Sequence, residues 1–324
     1  MSTEGGAKAI VAALIANLGI ALTKLLAWLL TQSSSMLAES IHSLADSGNQ
    51  LLLLLGGRRS KKAATPQHPF GYGRERYIWA FIVSIVLFSV GGLFALYEGY
   101  HKLKDPHPIE SWKWVPVVVL LVAIALESYS FTTAMRETNK SRGSASLVKF
   151  IRRAKAPELP VVLLEDTAAL LGLVFALFGV GLTIITHNGV WDGIGTLLIG
   201  VLLVLVAIFL AVETKSLLLG EGANAEDIQK IENAILSDGD TVECIIHMKT
   251  LYLGPDELLV AAKVAVHHDD TAGKVAEAID AAESRIRTAV PVARVIYLEP
   301  DIYHAGKAKT AAVGGDAEAH GAAH

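Results

Sequence analysis

The chain has 324 residues, 52% of them hydrophobic and 19% charged, with a formal net charge of −4 and a mean hydropathy of +0.45. Soluble domains carry nearer a quarter charged residues, so an ordinary soluble protein is excluded, while the net charge names no partner. The one cysteine, Cys244, excludes an intramolecular disulfide and a Cys-based zinc knuckle and is expected to act as a small buried hydrophobe.

The charges are unevenly placed. Between Tyr77 and Tyr97 no side chain ionises other than tyrosine, and Val115 to Leu126 has no ionisable group. Stretches of ~20 apolar residues span a bilayer. Six spans are predicted, over residues 8–31, 33–56, 77–101, 114–136, 159–184 and 191–212. The first two are joined by Gln32 to Ser34 alone, as a tight hairpin. The N-terminus shows no small-residue cleavage site after a short apolar core, so no cleaved signal peptide is expected. Loop 57–76 holds Arg58, Arg59, Lys61, Lys62, Arg74 and Arg76; loop 137–158 holds Lys140, Arg142, Lys149, Arg152, Arg153 and Lys155. Loop 102–113 has only Lys102, Lys104 and Lys113, and loop 185–190 has no Lys or Arg. This bias predicts both basic loops, and with an even number of spans both termini, on the cytoplasmic side.

Beyond Glu213 the texture changes. Helical periodicity over Ala225–Leu236 is followed by β-rich Val242–Met248 and Leu258–Val266 around a Gly254-Pro255 turn, a helix over Thr271–Thr288 and a strand over Arg294–Leu298. The order αββαβ predicts an α+β, ferredoxin-like domain with its helices on one face of the sheet. The expected division is a six-helix membrane domain over 1–213, the α+β domain over 214–303 and a disordered tail over 304–324.

The second span contains ESIHSLADSGNQ, residues 39–50. On a helix, Glu39, His42, Ser43, Asp46 and Asn49 or Gln50 share one stripe, with Ile41, Leu44 and Ala45 opposite. His42 and Asp46 stand at i and i+4, so an imidazole nitrogen and a carboxylate oxygen can reach one ion. That is half of a tetrahedral site for a divalent metal, and zinc suits mixed N and O ligands. In a soluble helix such a pair is more often hydrogen-bonded across a packed face. Within a membrane, ionisable groups are costly and usually line a pathway. The fifth span supplies Glu165-Asp166 in LPVVLLEDTAALLGL. Helix neighbours point ~100° apart. Either carboxylate therefore ligates while the other orients it, pairs with a base or carries a proton, unless the two form an interfacial pair. Asn17, Lys24, Glu98 and Glu127 are further polar groups within the spans. Lys24 either snorkels or pairs with Glu39 or a fifth-span carboxylate. Glu98 is expected at the interface, Glu127 faces either the basic loop or the bundle interior, and Asp192 opens the sixth span as a helix-start or interface residue. His267, His268, Asp269 and Asp270 lie in a predicted turn that either binds metal weakly or, the preferred reading, is a solvated loop.

HSLADSGNQ in the second span together with HPFGYGRERYIWA after it, six spans and the αββαβ order resemble the cation diffusion facilitator family over about residues 8–303. VVLLEDTAALLG further resembles the branch that includes the animal mitochondrial zinc transporter. The resemblance implies a homodimeric exporter, not an enzyme, with the α+β domain as the dimerisation domain. In that family the second and fifth spans bind one divalent ion near the bilayer middle. The protein alternates between inward- and outward-facing states, and the ion leaves the cytoplasm in exchange for protons. Carried onto this chain, His42 and Asp46 match the second-span pair. Asp166, with Glu165 as alternative or partner, falls where fifth-span ligands are expected. Glu39, Asn17, Lys24, Asn49 and Glu127 become candidates for pathway or coupling roles. No cofactor is expected: Zn2+, or another divalent cation, enters as substrate. The expected partners are a second copy, the ion, protons and the lipid bilayer of a prokaryotic inner or plasma membrane, with no nucleic acid.

Three departures from the family pattern stand out. Many members have a second HxxxD in the fifth span, but here Val161 and Val162 precede Glu165 and Asp166 by four residues. One imidazole is missing, and the oxygen-richer set admits Mn2+, Fe2+, Co2+ or Ni2+. In the loop after the second span His68 remains, but Tyr72 stands where a second histidine often occurs. In the α+β domain His247 fits one position of a bridging zinc pair, while Lys263 and Leu298 occupy others, so dimerisation without that zinc cluster is expected. His68 and His247 are left as weak peripheral metal candidates. An intramembrane metal-dependent hydrolase, with Glu39 as base, is the alternative; it needs the same ligands, but the chain has no HExxH. A non-transporting metal sensor is a third reading.

Overall fold

The computed structural model describes residues 3–109, 112–142, 146–237 and 241–303. The tail expected to be disordered lies outside them. The chain divides into two compact units, Met1–Leu218 and Leu219–His324, each with its own apolar core.

The first unit is helical. Runs of Leu, Val, Ile and Ala free of interior proline form α1 (Thr3–Thr31), α2 (Ser34–Arg59), α3 (Glu75–Val86), α4 (Phe94–Lys104), α5 (Trp114–Arg142), α6 (Leu147–Arg153), α7 (Glu158–Thr186) and α8 (Val190–Leu219). Pro116 and Pro160 fall in the first turns of α5 and α7, where a missing N–H has no intrahelical partner to lose. Between α1 and α2, Gln32 takes the left-handed conformation (φ 54°), which closes the hairpin in two residues. A π-helical stretch, Leu87–Leu93, joins α3 to α4, so the third long helix runs continuously over Glu75–Lys104. α6 falls within the predicted loop 137–158; Ser146 Oγ caps it by accepting from Lys149 N at 3.3 Å.

Among the described residues, four helices are long and apolar enough to cross a membrane: Glu75–Lys104, Trp114–Arg136, Glu158–Thr186 and Val190–Leu219. α1 adds a shorter apolar stretch, Asn17–Thr31, and α2 is diluted by its polar residues. Leu18, Leu22, Leu26 and Leu29 of α1 form an outward stripe, and Leu121 and Val122 of α5, Phe178 of α7 and Leu205 of α8 are likewise exposed. Such a surface is unfavourable against water and matched to acyl chains. Inside, Leu87, Leu120, Leu173, Ile199, Leu203 and Leu210 are almost fully buried. α4 and α8 meet nearly backbone to backbone. A Cβ on Gly99 would lie 2.8 Å from Leu197 N, and one on Gly200 would lie 2.7 Å from Leu96 N. Small residues permit this approach where lipid supplies no hydrophobic drive between helices.

The second unit runs α9 (Ala225–Leu236), β1 (Val242–Gly254), β2 (Glu257–Val266), α10 (Ala272–Ala289) and β3 (Ala293–Asp301). β2 is central, antiparallel to β1 and parallel to β3. The parallel pair needs a crossover, which α10 provides. β1 continues six residues past the predicted Met248 because its pairing with β2 extends through Tyr252↔Leu258 to Gly254↔Glu257. Asn224 and Thr271 cap the two helices, accepting from Asp227 N and Lys274 N. Ile231 and Ile235 of α9 and Ile286 of α10 pack with Leu258, Val260 and Val264 of β2.

Candidate functional site

α2 packs against α1, α3, α4 and α7. It buries Glu39, His42, Ser43, Asp46 and Asn49 of the predicted stripe and, beside them, Ser34, Ser35, Ser40 and Ser47. Leu44 faces outward at 57% exposure, but Ala45, expected beside it on the apolar face, is buried at 6%. The helix is therefore enclosed on more than its polar side. Ser40 Oγ donates to Ala21 O of α1 at 3.0 Å, and Ser47 Oγ back to Ser43 O at 3.0 Å, which satisfies these hydroxyls locally.

Along the stripe, Lys24 of α1 reaches across to α2. Its Nζ donates to Glu39 Oε2 at 3.0 Å and to Ser43 Oγ at 2.8 Å. Both charges are buried, an arrangement that persists only when they are paired. Of the alternatives open to Lys24, the structure shows pairing with Glu39. The second oxygen, Glu39 Oε1, has no hydrogen-bond partner and lies where a Cβ on Gly172 of α7 would come within 2.8 Å. The glycine makes room for the carboxylate. One turn on, neither ring nitrogen of His42 has a hydrogen-bond partner. Its Nδ1 lies 3.5 Å from Asp46 Oδ1, too far for a good hydrogen bond. The π-helical stretch faces this ring, for a Cβ on Gly91 would stand 3.9 Å from Nδ1.

The fifth-span pair divides between two neighbours. Glu165 is buried towards α2, where its Oε1 accepts from Asn49 Nδ2 at 2.7 Å. Asp166 is half-buried towards α5, and its Oδ2 accepts from Ser130 Oγ at 3.2 Å. Glu127 is buried in the bundle interior and within electrostatic reach of Lys24 and Glu39. Asp46 is likewise within reach of Glu165, Glu127, Lys24 and Asp166. Asn17 is half-buried on α1. Among the described residues, no three His, Cys, Asp or Glu side chains are gathered closely enough to grip one ion. The predicted ligands stand on facing helices, His42 with Asp46 on one and Glu165 on the other. Along the α2 stripe the acceptors without a hydrogen-bond partner are Glu39 Oε1, Asp46 Oδ1, Asn49 Oδ1 and Gln50 Oε1.

A second polar cluster sits at the N-terminus of α2. Asp192 of α8 is fully buried. Its Oδ1 accepts from Ser33 Oγ at 2.9 Å and Ser35 N at 3.2 Å, and its Oδ2 from Ser34 N at 2.8 Å. The carboxylate thus caps a helix from another helix and complements its dipole. Thr183 Oγ1 accepts from Asp192 N at 2.9 Å, and Ser34 Oγ donates to Glu98 Oε1 at 3.0 Å. The triplet Ser33–Ser35 before a helical run is a readable cap signal, but its partner 159 residues away is not.

The remaining candidates lie apart. His68 is exposed and its ring stands 4.7 Å from Tyr72. His247 is exposed on β1 opposite Lys263, whose Nζ pairs with Glu299 at 2.8 Å and Asp301 at 3.3 Å. The hydrogen bond to Glu299 raises the Lys263 pKa, with Asp301 adding to it. A protein cation therefore takes these acidic groups. Cys244 is half-buried rather than buried, and His267 leaves the turn to pair with Glu243 at 2.6 Å.

Comparison with known proteins adds the context. Residues 10–219 match the family described as the cation efflux transmembrane domain. The human "Proton-coupled zinc antiporter SLC30A9, mitochondrial" is 34% identical over 263 residues, 81% of this chain and 46% of that protein. "Metal tolerance protein C4" of Arabidopsis thaliana is 28% identical over 259 residues, 79% of this chain and 56% of that protein. "Magnetosome protein MamM" of Paramagnetospirillum magneticum is 30% identical over 133 residues, 39% of this chain and 40% of its own. The chain spans about half the length of the first two relatives.

Proposed function

The chain belongs to the cation efflux, or cation diffusion facilitator, family, in the branch that resembles the animal mitochondrial zinc transporter, and from that premise we propose that it exports a divalent cation, zinc first, in exchange for protons. The observation that carries this reading is the buried facing of His42 and Asp46 on α2 to Glu165 on α7, with unpartnered nitrogen and oxygen atoms between enclosing helices. A dication cannot cross hydrocarbon unless ligands replace its hydration shell. His42 supplies a neutral nitrogen, and Asp46 supplies an ionised oxygen. In this reading Glu165 completes the site by leaving Asn49 and closing on the ion, and Asp166 orients the α7 side. Protons compete with the ion for the same lone pairs, which links release to their entry from the outer side. No observation favours the hydrolase reading.

Six spans, both termini in the cytoplasm, alternating access and a homodimer joined through a ferredoxin-like C-terminal domain complete the proposal. The membrane in this reading is a prokaryotic inner or plasma membrane; the mitochondrial location belongs to the named relatives. The test is transport into proteoliposomes carrying a pH dye. Zinc flux should move protons the opposite way and be lost in His42→Ala and Asp46→Ala, with the protein still folded. Flux that neither moves protons nor responds to a pH gradient would remove the exchange mechanism, and native flux in Asp46→Ala would remove the site.

A further inference from the structure

Lys24 is the most deeply buried cationic side chain among the described residues, at 1% exposure. Its ammonium contacts Glu39 at 3.0 Å and Ser43 at 2.8 Å on α2, the helix that also buries His42 and Asp46, and Glu127 of α5 is a further buried carboxylate of the same bundle. Glu39 and His42 are one helical turn apart, and Ser43, the other Lys24 partner, adjoins His42 in sequence. A positive charge fixed beside a site for a dication works against occupancy, and more strongly in a buried setting than in water.

We propose that Lys24 is a resident internal cation that competes with the transported ion for the buried carboxylates, and so sets how readily the ion is released. The proposal rests on the site reading above. Glu39 is its counter-charge: it holds the ammonium in place at Oε2 and leaves Oε1 open towards Gly172. A pair kept only for stability is replaceable by apolar residues of similar volume at little or no loss.

The two partners give opposite expectations, and this separates the proposal from a structural role. Removing the Lys24 charge takes away a competitor, so Lys24→Met should bind Zn2+ about 10-fold tighter and turn over several-fold more slowly. Removing the Glu39 charge leaves the ammonium uncompensated beside the site, so Glu39→Gln should bind Zn2+ more weakly. Lys24→Gln, which keeps polar contact with Glu39 and Ser43, carries the same expectation as Lys24→Met if the latter fails to assemble. Calorimetric Zn2+ titration of the purified full chain, paired with proteoliposome flux, reads both quantities. Affinities that fall together in the Lys24 and Glu39 variants, or that do not move, overturn the proposal. His42→Ala is the separate control: native Zn2+ binding in that variant strikes the site itself, whatever Lys24 does.

Discussion

At His42, two ring nitrogens are buried without a hydrogen-bond partner. Leaving a buried polar group unpaired costs roughly 1–3 kcal/mol, and Asp46 Oδ1 and Glu39 Oε1 add to the sum. A helix kept only for packing would have Leu or Ala there, and the proposed role as ligands offers a reason for the cost. His42 and Asp46 were legible from their spacing and from the cost of polar groups in a membrane. The division of labour between Glu165 and Asp166 was not, because adjacent residues point apart and only the neighbours decide which one faces α2. The expectation therefore shifts towards Glu165. Glu165→Gln should weaken Zn2+ binding by about 100-fold or more, and Asp166→Asn by about 10-fold, the range for a supporting partner. Zn2+ titration of both variants checks this, and the reverse ranking would hand ligation to Asp166. The same titrations repeated with Mn2+, Fe2+, Co2+ and Ni2+ address the choice of metal that the missing imidazole leaves open.

For the helices, apolar length made the four long apolar helices readable, and the polar stripe of α2 could be read as a face. The cross-helix cap could not, since Asp192 looks like any acid at a helix start until α8 is laid beside α2. Three donors depend on it: Ser33 Oγ, Ser34 N and Ser35 N. Asp192→Ala would leave them buried and unpaired, at roughly 1–3 kcal/mol each before relaxation. Thermal unfolding in detergent should show a clear loss of stability for Asp192→Ala and a smaller one for Asp192→Asn, which keeps one acceptor. An unchanged melting temperature in Asp192→Ala would mean the cap contributes nothing. α6 went unread for a different reason. Seven residues between basic loop segments carry too little periodicity to stand out.

Considered whole, the molecule has two apolar cores that share no residue. The change of texture after Glu213 announced the second core, and its αββαβ order followed from alternating β-rich and helical segments. Its strand order and pairing needed the folded sheet. If that unit joins two copies, the full chain in detergent should run as a dimer, and a chain ending at Leu218 should shift towards monomer while keeping helical content. Mass photometry reads this, and an unchanged dimer in the shortened chain would move the dimer contact to the helices. A π-helical turn holds one more residue than an α-turn closes over, so Leu87–Leu93 acts as a phase slip. Glu75–Val86 and Phe94–Lys104 present faces that a uniform α-helix would set ~100° apart from where they stand. Forcing Leu87–Leu93 into uniform α-helix with its residue count unchanged would turn Gly99 away from Leu197, whereas deleting one residue there would let an α-helix keep the same faces, so the seam with α8 depends on count as much as on composition.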